Sequence, residues 1–127
     1  MTSKRRILIV DDQPEVLRIY SRALEIAHYE TLTASSAQAA MDIIQSGPPD
    51  AILLDLKMPF VNGLGMLYRL REVYPKVPVA IVTGVSNLDT ATVEEIGNLG
   101  AELAYKPLGI AEVEALVSRL LDITGSH

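Results

Sequence analysis

Five short apolar runs alternate along this chain with longer segments of helical periodicity. The runs are Ile7 to Val10, a weaker one from Tyr29 to Ala34, Ala51 to Leu54, Val79 to Val82, and the least apolar, Glu102 to Tyr105. The first, third and fourth show no polar alternation, which is how strands covered on both faces read. Between them, Pro14 to Ala27 places Leu17, Tyr20, Leu24 and Ala27 three and four residues apart, which predicts a helix. Asp12 is its predicted N-cap, with Pro14 tolerated in the first turn. Ser35 or Ser36 caps a second helix that ends before Gly47-Pro48-Pro49. A third spans Gly63 to Val73 and stops at Tyr74-Pro75. A fourth spans Leu88 to Leu99 and ends at Gly100. The last, Ile110 to Ile123, carries Val113, Leu116, Val117, Leu120 and Leu121 on one face.

Strands that alternate with helices predict an α/β fold, with right-handed βαβ units and a parallel sheet covered on both faces. Repeats, low-complexity stretches and internal linkers are absent from the sequence, so residues 1–127 are expected to form a single domain. Sheets of this kind bind ligands outside the carboxyl ends of their strands, near the point where strand order reverses. The residues that end each run are therefore the candidates for chemistry.

Composition narrows that chemistry. The chain has 127 residues, 49% of them hydrophobic, enough for a real core. It has no cysteine, which excludes disulfides and thiolate metal sites. The net charge of −5 argues against nucleic acid as a direct partner. No apolar run approaches the roughly 18 residues needed to cross a bilayer, and the basic start Met1 to Arg6 precedes an apolar stretch too short for a signal peptide. A cytoplasmic protein is the expectation. Gly125-Ser126-His127 is given no structural weight.

Run one ends in Asp11-Asp12, run three in Asp55, run four in Thr83 and run five in Lys106-Pro107. Three carboxylates, a hydroxyl and an ammonium thus converge on one sheet edge. Asp12 alone reads as a helix cap, Asp11 as a solvated edge residue, Thr83 as an ordinary strand threonine and Lys106 as a surface lysine. Together they read differently. Crowded carboxylates raise at least one pKa or demand a cation. Oxygen donors without cysteine, and with only His28 and His127 as imidazoles, favour a hard divalent ion such as Mg²⁺. Asp55, at the end of an apolar strand, is a candidate covalent nucleophile for a phosphoryl group. A cation at Asp11 and Asp12, the Lys106 ammonium and the Thr83 hydroxyl would then neutralise the phosphoryl oxygens.

These residues resemble the signature of the receiver domain of two-component response regulators, over nearly the whole chain. The acidic pair follows Ile-Leu-Ile-Val, the acceptor stands some forty residues later, and Asp55-Leu56-Lys57-Met58-Pro59-Phe60-Val61-Asn62-Gly63 looks like the family's D-x-x-M-P-x-x-x-G segment. Thr83 resembles its Ser/Thr switch residue and Lys106-Pro107 its Lys-Pro. The resemblance implies a three-layer doubly wound (βα)₅, flavodoxin-like fold with strand order 2-1-3-4-5. It implies Mg²⁺-dependent transfer of a phosphoryl group to Asp55 from a histidine on a sensor kinase or a histidine phosphotransfer protein. The backbone carbonyl of Lys57 would join Asp11, Asp12 and Asp55 around the metal, and the peptide before Pro107 would be cis. Phosphorylation would draw Thr83 inward and reshape the face of the fourth helix, fifth strand and fifth helix. That face would contact a downstream effector or fused domain, or a second copy in a phosphorylation-dependent dimer. Catalysis beyond slow self-dephosphorylation is not expected.

The sequence departs from the family in one region. The usual aromatic switch position, three before the lysine, is Leu103. Tyr105 is the nearest aromatic, on the same side of the strand. The stretch from Gly100 to Lys106 is one residue short, and that from Thr83 to Gly100 about two long. Lys57 and Val85, two past Asp55 and Thr83, occupy positions that in the family flank the path of the hydrolytic water. The alternative is a pseudo-receiver, a protein-interaction module never phosphorylated, which typically loses one of the acidic pair, acceptor, threonine or lysine. An aspartyl phosphatase would want an Asp where Lys57 stands. An FMN protein would want a Ser/Thr/Gly-rich loop in place of Asp11-Asp12-Gln13-Pro14.

Overall fold

The computed structural model describes residues 4–58 and 61–123. Pro59 and Phe60 of the D-x-x-M-P-x-x-x-G segment, and Gly125-Ser126-His127, lie outside them. In chain order the elements are β1 (Arg6–Val10), α1 (Pro14–Ile26), β2 (Glu30–Ala34), α2 (Ala37–Ser46), β3 (Ala51–Leu54), β4 (Lys57–Met58), β5 (Val61–Asn62), α3 (Gly63–Val73), β6 (Val79–Thr83), α4 (Thr90–Asn98), β7 (Glu102–Tyr105) and α5 (Ile110–Ile123). Five strands form one sheet in the order β2-β1-β3-β6-β7, every pair parallel. Counted among those five, this is the expected 2-1-3-4-5. The short strands β4 and β5 form a separate antiparallel ribbon just before α3.

Period-two alternation along the central strands sorts side chains onto two cores. Leu8, Val10, Ile52, Leu54, Val79 and Ile81 pack on one face with Ala40 and Ile44 of α2, Met66, Leu67 and Leu70 of α3, and Ile96 of α4. Ile7, Ile9, Ala51, Leu53, Ala80 and Val82 pack on the other with Tyr20 and Leu24 of α1 and Val113, Leu116, Val117 and Leu120 of α5. This is why β1, β3 and β6 read as unbroken apolar runs while the edge strands β2 and β7 do not.

The helix ends follow capping chemistry, with two corrections. Ser36 accepts from the Ala39 N–H at 3.1 Å and caps α2. Asp12 does not cap α1. The N-cap is Gln13, whose backbone N–H is taken instead by Asp11 Oδ1 at 2.9 Å. Helix α4 begins at Thr90 rather than Leu88, because Asp89 accepts from the Thr92 N–H at 2.8 Å and caps it there. After α4, Gly100 takes φ 72°; after α1, His28 takes φ 71°, a left-handed conformation that glycine usually supplies.

Candidate functional site

The strand ends that carry the chemistry are brought together by the sheet's own register. Parallel pairing of β1 with β3 sets Val10 beside Leu54, so Asp11 and Asp55 leave the sheet side by side. The Asp55 N–H donates to the Val10 carbonyl at 2.9 Å, and the Asp11 N–H to the Ala34 carbonyl at 3.0 Å. Both residues are nearly fully buried, Asp11 at 3% and Asp55 at 5% exposure. Asp12 is half-buried beside them, and the three carboxylates each offer an oxygen within 4.8 Å of the others. On the far side, β6 pairs with β7 so that Thr83 lies opposite Tyr105, and the Lys106 N–H donates to the Thr83 carbonyl at 2.8 Å.

Lys106 reaches across the strand ends. Its Nζ stands 2.7 Å from Asp11 Oδ2, 3.1 Å from Gln13 Oε1 and 3.7 Å from Asp55 Oδ1. The peptide that follows it, Lys106–Pro107, is cis. The fully buried Thr83 hydroxyl accepts from the Val85 N–H at 3.0 Å, which leaves its own proton to donate. Asp12, Gln13, Asp55, Lys57, Thr83, Gly84, Val85 and Lys106 line an open hollow of about 430 Å³. A larger hollow of about 630 Å³ between the ends of α3 and α4 is lined by Arg71, Pro75, Lys76, Val77, Pro78, Asn98, Leu99 and Gly100, and contains no carboxylate.

Electrostatics single out Asp55. Burial pushes its carboxyl above the ordinary carboxylate value, and the Asp11 charge pushes the same way. The Lys106 ammonium and a hydrogen bond from the Lys57 backbone pull it back only in part. For Lys106, burial works against the charged form, but the hydrogen bond and charge of Asp11, then the charge of Asp55, outweigh it and raise its pKa. The ammonium therefore stays charged at neutral pH. Three clustered carboxylates facing one ammonium leave a surplus of negative charge in a site built of oxygen donors, which fits a hard divalent cation. Asp11, Asp12 and Asp55 could hold one.

Among known proteins, the sequence profile of the "Response regulator receiver domain" matches residues 7–118. The chain belongs to this family. A receiver is a phosphoryl acceptor, and the acidic pocket around Asp55 fits that activity. The receiver is 32% identical over 123 residues to "Regulatory protein AtoC" of Escherichia coli (strain K12), covering 97% of this chain and 26% of that protein. It is 32% identical over 119 residues to "Sporulation initiation phosphotransferase F" of Bacillus subtilis (strain 168), covering 93% of this chain and 94% of that one. It spans about half the length of most other curated relatives it matches. Its fold superposes with a TM-score of 0.88, at 27% identity, on the crystal structure of a CheY-like response regulator receiver domain protein from Methanospirillum hungatei JF-1, covering 96% and 97% of the two chains.

Sequence reasoning about the receiver's site overlooked Gln13, a residue separated from Lys106 by 93 positions. It also left Gly63 unexplained within the motif. The Gly63 N–H donates to the Leu56 carbonyl at 2.8 Å, and a Cβ there would stand 2.2 Å from the Asp55 carbonyl oxygen. Only glycine lets α3 start this close to the backbone of Asp55. Leu103 is half-buried against the core under α2, α3 and α4, whereas Tyr105 is 45% exposed. No helix among the described residues is long and apolar enough to cross a membrane.

Proposed function

We propose that the chain is one receiver domain spanning residues 1–127 and that Asp55 is its phosphoryl acceptor. The observation that carries the reading is the buried Asp55 carboxylate at the end of β3, within 3.7 Å of the Lys106 ammonium and clustered with Asp11 and Asp12. An Asp55 oxygen attacks the phosphorus of a phosphohistidine on a sensor kinase or histidine phosphotransfer protein. The new P–O bond forms as the P–N bond breaks, and the imidazole leaves with that bond's electron pair. Lys106 takes one developing charge on the phosphoryl oxygens, and the Thr83 proton is available for another. Asp11, Asp12, Asp55 and the backbone carbonyl of Lys57 would hold Mg²⁺, which when bound supplies further neutralisation of the phosphoryl oxygens.

Thr83 is coupled to the output side through Lys106, the residue that follows β7, whose N–H donates to the Thr83 backbone carbonyl. Its movement toward a phosphoryl group biases the face of α4, β7 and α5, where Leu103 and Tyr105 lie. The partner of that face is an effector, either separate or fused as in longer relatives, or a second copy in a phosphorylation-dependent dimer. The setting is the cytoplasm. The chain acts as the acceptor, with slow self-dephosphorylation, rather than as an enzyme on other substrates.

The test is a small phosphodonor such as phosphoramidate with Mg²⁺, read by intact mass. Wild type gains one phosphate and Asp55→Asn gains none. Labelling of Asp55→Asn at equal occupancy overturns the acceptor assignment, and an unlabelled wild type favours the pseudo-receiver.

A further inference from the structure

Lys106 carries three N–H donors on a flexible four-carbon stem, so nothing intrinsic to lysine aims its charge. Here two acceptors bracket it. One is Asp11 Oδ2 at 2.7 Å and the other is Gln13 Oε1 at 3.1 Å. The ring closes through the backbone, because the Gln13 N–H donates to the other oxygen of Asp11, Oδ1, at 2.9 Å. Gln13 is thereby fixed at its main chain by the same carboxylate that its side chain helps Lys106 to meet. With two donors committed, the third N–H is left on the side of Asp55 Oδ1, 3.7 Å away. Gln13 itself is exposed and caps no helix with its side chain, so packing does not explain its conformation.

We infer that Gln13 is a positioning residue for phosphoryl transfer, whose side-chain carbonyl orients the Lys106 ammonium toward the acceptor. This rests on the reading of Asp55 as acceptor and adds a residue to it. The contact joins the start of α1 to the end of β7, so the aim of the ammonium depends on the relative placement of two loops that approach only in the folded sheet. Transfer speeds up when Lys106 already points at the incoming phosphoryl oxygens, because reorienting it during the reaction adds to the barrier.

The experiment compares initial rates of phosphorylation by phosphoramidate at saturating Mg²⁺ in wild type, Gln13→Leu and Gln13→Met. Both substitutions keep the side chain's bulk and remove the acceptor. The expected result is a slowing of about tenfold in both, the scale of one lost hydrogen bond to a charged group. A Mg²⁺ titration followed by amide NMR shifts supplies the readout that a structural disturbance would change. Distortion of the Asp11-Asp12 loop would weaken Mg²⁺ binding, whereas loss of aim leaves its affinity within about twofold. In a Lys106→Met background, assayed over longer incubation, Gln13→Leu slows the reaction no further. Wild-type rates in both Gln13 variants, equal slowing with and without Lys106, or weakened Mg²⁺ binding that accounts for the loss would each overturn the inference while leaving Asp55 as acceptor. A wild type that takes no phosphate would overturn the acceptor reading and this inference with it.

Discussion

Asp55 is the residue on which burial and function pull in opposite directions. A carboxylate 5% exposed beside Asp11 is destabilised as an anion, and Lys106 repays only part of that. Its folded pKa lies above its unfolded one, so its favourable contribution to stability is present below the unfolded value and is lost as pH rises through the raised folded value. Asp55→Asn removes the titration. We therefore expect the Asn variant, in chelator, to melt a few degrees above wild type at pH 7 and to lose that advantage near pH 3, as checked by thermal unfolding across pH. A wild type that melts higher at pH 7 would show that the Lys106 pairing dominates instead.

At the scale of elements, the helix ends show how local chemistry and tertiary demand divide the work. Gly100 after α4 was readable because glycine at a helix end signals a left-handed closing residue. His28 occupies the same conformation after α1, at φ 71°, with no such signal. Its N–H donates to the Glu25 carbonyl and the Tyr29 N–H to the Leu24 carbonyl, so the closing turn is complete despite the side chain. His28→Gly should stabilise the receiver by about 1 kcal/mol, the left-handed penalty of a Cβ, measured by urea unfolding with an unchanged slope. Arg71 ties α3 to two neighbours. Its Nε donates to the Leu99 carbonyl at the end of α4 and its Nη1 to the Val77 carbonyl before β6, at 2.5 and 2.6 Å. Helix α4 buries one residue, Ile96, so this end is its firmest hold and its capped start at Asp89 the freer one.

For the whole molecule, the parallel sheet is what turns scattered polar residues into a site. Each strand delivers its last residue to the same edge, and the order β2-β1-β3-β6-β7 puts the acidic ends of β1 and β3 between the loops that follow β2 and β6. A cation binding there stabilises the folded state by mass action. Mg²⁺ at about a hundred times its dissociation constant should add roughly 2.7 kcal/mol. We expect this to appear as a rise in melting temperature that is largely abolished in Asp12→Ala. An equal rise in that variant would remove Asp12 from the metal site.

What the sequence by itself determined was the five strands of the main sheet and the five helices, though not every end of them, since α4 starts at Thr90 rather than Leu88, nor the short β4–β5 ribbon. Unbroken apolar runs this short, set between helical segments and turn residues, read as strands buried on both faces, and α3, β7 and α5 were placed to the residue because Pro, Gly and the change of period punctuate them. It also named Asp11, Asp12, Asp55, Thr83 and Lys106, since polar residues closing apolar strands stand out in one dimension. Tertiary structure alone decided who touches whom. That Asp11 rather than Asp12 secures the start of α1, that Gln13 meets Lys106, and that Gly63 must lack a Cβ beneath Asp55 are consequences of distance between chain-remote atoms, which no local pattern records. So too for Leu103 turned half into the core and Tyr105 left largely open. Their faces follow from alternation, but their burial depends on what α4 covers.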